Sequence, residues 1–149
     1  MSIRFAIEPY RQACADAMEL MLLDAHATEV ARGVHPIMID HKQFEWMDDN
    51  GSLQVVTARD NGVLVGYHVT MIRPHLHRNV LAGFVDTLYM APDHRGRTSM
   101  RLIQFAEAML RRRGVKWIST GVRLNKDFGR LLEHLGYTEA ERLYRKEWT

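Results

Sequence analysis

The sequence predicts an α/β fold, a mixed β-sheet flanked by helices, and three observations carry that prediction. Asp60-Asn61-Gly62 lies between two β-rich runs in "LQVVTARDNGVLVGYHVTMI". An Asn-Gly pair accepts the positive φ angles of the tightest hairpin turns, so the two runs should pair antiparallel. From Phe84 to Thr120 the order is strand, helix, strand, which predicts a right-handed crossover between parallel strands. Upstream, Tyr10, Ala13, Cys14, Ala17, Met18, Met21 and Leu22 recur at helical spacing.

Each element has its own signals. "IRFAI" reads as a short first strand, and Pro9 suits the first position of the helix that follows. In "DHKQFEWMDDNG", Asp40 is the expected N-cap, Gln43 its capping-box partner and Gly51 the stop. After the hairpin, "RPHLHRNVLAG" is polar and holds Pro74 and Gly83, so it reads as a loop. "FVDTLYM" is a strand closed by Pro92. From about Ser99 to Arg113 the pattern is helical, with Leu102, Ile103, Ala106, Met109 and Leu110 on one side and Gly114 as the stop. "VKWIST" is a strand, "NKDFGRLLEHLG" a short helix, and "YTEAERLYRKEW" alternates as a last strand would.

Composition narrows the function classes. The chain has 149 residues, 46% apolar and 26% charged, which fits one domain over residues 1–149 with an ordinary globular core. A net charge of +2 does not indicate a general polyanion-binding surface. No apolar run approaches the roughly 20 residues of a membrane span. Pro9 comes too early for a secretory leader. Cys14 is the only cysteine, so no intrachain disulfide forms and a reducing cytoplasm is the expected location. Its apolar helical setting reads as core.

The stretch "APDHRGRTSMRLIQFAEAMLRRRG" sets Arg95, Arg97 and Arg101 around a helix start, with Gly96 at the turn. A helix start has unpaired N–H groups and the positive end of the dipole, so it attracts anions. Gly96 allows close approach, and the arginines add charge-assisted bonds. A phosphate or pyrophosphate is the guest expected there; a solvated helix start is the plainer reading. The Gly-Lys-Ser/Thr ending of a Walker loop is absent, and so are two of the three glycines of a dinucleotide fingerprint.

The run from Phe84 to Trp148 resembles the core of the GNAT acyltransferases, which move an acetyl group from acetyl-CoA to an amine. Leu88-Tyr89-Met90, Pro92, Arg95-Gly96-Arg97, Thr98, Met100 and Ile103 follow the family's strand-to-helix motif. Asn125, Leu131, Glu133, Leu135, Gly136 and Tyr137 follow its second element. The resemblance implies a mixed, centrally splayed sheet of about six to seven strands with about four helices. It also implies acetyl-CoA as cosubstrate, its pyrophosphate at the Arg95–Arg101 loop and its pantetheine arm along the strand near Leu88 and Met90. The implied contacts are Leu88, Tyr89, Met90, Arg95, Gly96, Arg97, Thr98, Ser99, Met100, Arg101, Asn125 and Phe128. Three positions depart from the pattern. Thr98 and Met100 replace later motif glycines, and Leu132 replaces a tyrosine that in the family often protonates the departing thiolate.

Acyl transfer to an amine needs a base. The family's base is often a glutamate on the strand corresponding to Phe84–Met90. Asp86 is the acid of that strand, and strict alternation puts it on the face of Leu88 and Met90. The plainer reading of Asp86 is an acid that orders a substrate amine or a neighbouring loop; His68, expected near the sheet centre, is the second candidate, with a structural role as its plainer reading. Tyr89, Tyr137 and Tyr144 are the tyrosines that could replace the missing acid. His35, His41, His75 and His77 invite a metal reading, but their spacing matches no ligand motif and no metal is expected. "RRRG" at Arg111–Gly114 suits a helix C-terminus, so neither nucleic acid nor membrane is an expected partner. The expected partner is a small-molecule or protein amine, and a homodimer is an admissible assembly. The competing classes are a CoA-binding protein without turnover and a nucleic-acid or protein-binding module.

Overall fold

A computed structural model describes residues 2–23, 35–124 and 126–149. Five strands form one sheet in sequence order: β1 Ile3–Ile7, β2 Leu53–Asp60, β3 Val63–His75, β4 Val80–Met90 and β5 Val115–Ser119. The first four are antiparallel neighbours, and β5 runs parallel to β4, as the crossover predicts. Helix α1, Tyr10–Ala13, passes into a π-helical segment, Cys14–Met18, and α2 is His41–Asp49. A 3₁₀ turn, Pro92–His94, leads into α3, Arg97–Arg112; α4 is Gly129–His134.

Local chemistry explains these boundaries. Asn61 and Gly62 take φ angles of 49° and 87°, so the two-residue turn closes β2 onto β3 as the sequence predicts. Asp40 Oδ1 accepts the amide of Gln43 at 3.0 Å and caps α2. The segment read as a loop, Arg73–Gly83, is instead mostly strand, with the turn between His75 and Val80. Proline survives in that strand because β2 pairs with β3 only as far as Met71. Pro74 lies beyond it, opposite Leu81, and its missing N–H faces no strand on the β2 side.

The two faces of the sheet build two cores. On one, α1, the π-helical segment and α2 cover Leu53, Val55, Tyr67 and Val69 through Tyr10, Ala13, Met18 and Phe44. On the other, α3 lays Leu102 and Ala106 on Val56, Ala58 and Met90. The expected last strand over 137–148 is not a strand among the described residues, which leaves five where about six to seven were expected. Its apolar alternation is there, but Leu143, Tyr144 and Trp148 are exposed rather than packed.

Candidate active site

The pairing of β4 with β5 ends at Phe84↔Ser119, yet β4 continues to Met90. β5 itself ends at Ser119, so Val85–Met90 has β3 on one side and no β5 residue on the other. The same half-strand carries an irregularity. Val69 stands opposite Thr87 and Thr70 opposite Val85, so the register passes over Asp86. A bulge breaks alternation, so the argument that put Asp86 on the face of Leu88 and Met90 fails at this residue. Asp86 is exposed, on the open half of β4.

Immediately beyond Met90 the chain makes the 3₁₀ turn and enters α3 at Gly96, whose φ is 95° and ψ −123°. Only glycine holds that conformation without strain. No side chain caps the helix, and its first turn contains no acid. The first helical bond runs from Met100 N to Gly96 O, so the amides of Arg97, Thr98 and Ser99 have no intrahelical acceptor. A Cβ added at Gly96 would meet nothing within 4 Å. The turn therefore offers open space, free donors and a dipole, the fit a phosphate requires.

The flanking arginines are not equivalent. Arg95 Nε donates to Met90 O at 3.0 Å, tying its guanidinium to the end of β4. Arg97 is exposed at the first helical position. Arg101 lies over the ring of Phe5, 5.6 Å from its centroid, and is turned toward β1. Thr98, Ser99 and Met100 are half-buried in the first turn. Leu88 and Met90 pack in the core under α3, whereas Tyr89 stacks on Tyr67 on the opposite face. Phe128 begins α4, where its carbonyl accepts the amides of Leu131 and Leu132. Asn125 lies outside the described residues.

The remaining candidates have other surroundings. His68 is 2% exposed and contacts the Thr70 hydroxyl through Nδ1 at 3.2 Å. Burial drives its pKa down to about 4. Leu132 is buried at 7%. Tyr137 hydrogen-bonds to Glu107 of α3, and burial raises the pKa of both groups. Tyr144 is 86% exposed. His41 bridges the Tyr10 hydroxyl and Glu19, at 3.0 and 3.1 Å, while His75 packs against Trp117. Among the described residues no three His, Cys, Asp or Glu converge as metal ligands. In the "RRRG" run, Arg113 donates to the carbonyls of Gly51 and Leu53. One contact beside the site has no sequence signal. His94 pairs with Asp60, 34 positions away, and sequence reading treats Asp60 only as a turn residue.

Known proteins share this architecture. A ribosomal-protein-alanine N-acetyltransferase from Brucella melitensis biovar Abortus 2308 superposes with a TM-score of 0.75 at 23% identity, over 100% of this chain and 99% of its own. Glucosamine-6-phosphate N-acetyltransferase from Arabidopsis thaliana gives 0.76 at 12%, over 100% of both chains. A transcriptional regulator from Bacillus halodurans C-125 gives 0.79 at 16%, over 99% and 100%. No curated protein sequence matches. These likenesses are of fold; the sequence itself decides the family. The profile of the acetyltransferase (GNAT) family matches residues 18–137, a span that takes in β2 to β5, α2 to α4 and the glycine turn. The chain belongs to that family and is an acetyl-transferring enzyme.

Proposed function

We propose that the chain transfers the acetyl group of acetyl-CoA directly to a primary amine of a small molecule or a protein. One observation carries this reading. The half of β4 beyond the end of β5 leads through one short turn into an uncapped helix start, so a site for an extended arm would adjoin a site for a phosphate. The free amides of Arg97, Thr98 and Ser99 would hold the pyrophosphate, with Arg97 and the outer nitrogens of Arg95 adding charge. The open edge of Val85–Met90 would take the pantetheine arm as an added strand.

Acetyl-CoA supplies an activated acetyl group as a thioester. The amine attacks with its lone pair, forming a C–N bond as the C–S bond breaks, so a proton must leave nitrogen and the sulfur must gain one. Asp86 accepts the amine's proton in this reading. It is exposed on the open half of β4, where an incoming amine can reach it. His68 is assigned to the core, since a neutral imidazole 2% exposed beneath α3 has no comparable route to an amine. Cytoplasmic action and a chain made of one acyltransferase domain are parts of the same proposal.

A second reading, CoA binding without turnover, is favoured by Leu132, a buried leucine with no proton to give. A free thiol has a pKa of about 8.5, so the thiolate can leave near neutral pH with little acid help. We therefore expect slow but measurable transfer. The test is acetyl transfer to a panel of amines, beside calorimetric titration with CoA. Asp86→Asn should lower turnover roughly a hundredfold with CoA affinity kept. Binding without any transfer supports the second reading, and unchanged turnover in Asp86→Asn places the base elsewhere.

A further inference from the structure

We propose that Asp60 and His94 form a latch that fixes the turn ahead of α3 and so sets the affinity for the phosphate-bearing cosubstrate, without touching it. The inference rests on the acetyl-CoA reading above. His94 Nε2 and Asp60 Oδ2 are 3.0 Å apart, with side chains only 17% and 23% exposed. Their other polar atoms, His94 Nδ1 and Asp60 Oδ1, are buried and meet no hydrogen-bonding group among the described residues. Such a pair is a poor source of stability, since removing two polar side chains from water offsets much of their attraction. Its value is therefore in what it holds still.

The connectivity shows what that is. Asp60 ends β2 at the hairpin, opposite both Ile3 and Val63, and the neighbouring Asn61 amide donates to Ser2 O at 3.1 Å. That corner is the stiff junction of three strands. His94 closes the 3₁₀ turn, two residues ahead of Gly96. Between Met90 and Gly96 the chain is held by Ala91 N to Val65 O at 2.7 Å, His94 N to Ala91 O at 2.8 Å and Arg95 Nε to Met90 O at 3.0 Å. These fix the turn's shape and tie its near end to β3 and β4. The Asp60–His94 contact is the side-chain tie across to the hairpin corner. It sets where Gly96 stands, and hence where the amides of Arg97, Thr98 and Ser99 point. Anion binding by backbone amides depends on such pointing, because an amide cannot turn to follow its ligand.

The experiment compares native protein, His94→Ala, His94→Gln and Asp60→Asn by calorimetric titration with CoA, by steady-state acetyl transfer and by thermal unfolding. His94→Ala should weaken CoA about tenfold and raise KM for acetyl-CoA alike, with kcat within about twofold. His94→Gln keeps an N–H donor toward Asp60 and should recover most of the affinity. Asp60→Asn, which keeps the side-chain volume, should fall between. A purely structural role would instead lower the unfolding temperature and the active fraction, leaving the CoA affinity of the folded protein unchanged. Native affinity in folded His94→Ala and Asp60→Asn overturns the latch alone. Failure of the native chain to bind CoA overturns the cosubstrate reading and the latch with it.

Discussion

At the scale of single residues, Gly96 and Leu132 show how far one position can carry an argument. Gly96 holds φ 95°, yet an added Cβ would touch no protein atom. Substitution there would act through backbone strain and through space needed by a ligand, not through a clash in the free protein. Gly96→Val should weaken CoA binding tenfold or more, about 1.4 kcal/mol, by calorimetric titration. An unchanged affinity would remove the glycine turn from the proposed site. Leu132 has a plain structural use, since it is buried in α4 and its carbonyl accepts the Tyr137 amide at 2.9 Å. Tyr137, a sequence candidate for the missing acid, hydrogen-bonds to Glu107 instead. That partner lies 30 positions away, and no local pattern in the sequence announces it.

At the scale of elements, one arginine on β2 ties together the acids on either side of α1, Glu8 and Asp16. Arg59 on β2 makes a two-pronged contact with Glu8, at 2.8 and 2.9 Å, and reaches Asp16 at 2.8 Å. Thr57 also donates to Glu8, and the Arg59 bond holds that carboxyl below its usual pKa. Asp16 precedes Ala17, which carries a φ of 80° inside the π-helical segment, an unfavoured angle for alanine. The arginine thus anchors β1 and the kink to the same strand. With the Arg59 and Glu8 side chains 17% and 11% exposed, Arg59→Met should cost about 2–3 kcal/mol by denaturant unfolding. Adding Glu8→Gln should restore part of it, because the stranded charge is then gone. If the double variant is no more stable than the single one, the cost lies in packing.

Element by element, legibility followed the range of the forces involved. Asp40, Asn61-Gly62, Gly114 and Gly136 are local signals, and the structure places a cap or a turn at each. The Arg73–Gly83 segment misled because proline and glycine mark loops unless tertiary pairing spares their missing bonds. The run at 137–148 misled in the opposite sense, since alternation records only that a strand is permitted and pairing needs a neighbour. The glycine turn ahead of α3 was legible from chain order, and Gly96 takes the positive φ that such a turn requires. The irregularity at Asp86 was not, since it depends on how β3 and β4 settle against each other.

At the scale of the whole molecule, stability should depend on pH through a buried group that the proposed chemistry does not use. His68 is neutral when folded, its pKa pushed to about 4 by burial. Above 6.5, the ordinary value, the imidazole is neutral in folded and unfolded chains alike. As pH falls below 6.5 the unfolded chain gains a proton that the folded one refuses until about 4. Stability should drop across that window, by on the order of 3 kcal/mol, and then level off with respect to this group. Thermal unfolding of native protein and His68→Gln from pH 7 to pH 4 measures it, with the variant losing less over the window. Parallel curves would mean that the histidine is solvated as it unfolds and as it stands. The early end of β5 beside β4 has its own consequence at this scale. Bare strand edges usually lie on a protein's rim, where they recruit other sheets and seed aggregation. Here the bare stretch runs only from Val85 to Met90, between the end of β5 and the turn at Pro92. So short an edge gives another sheet little to pair with, while one extended chain can still lie along it.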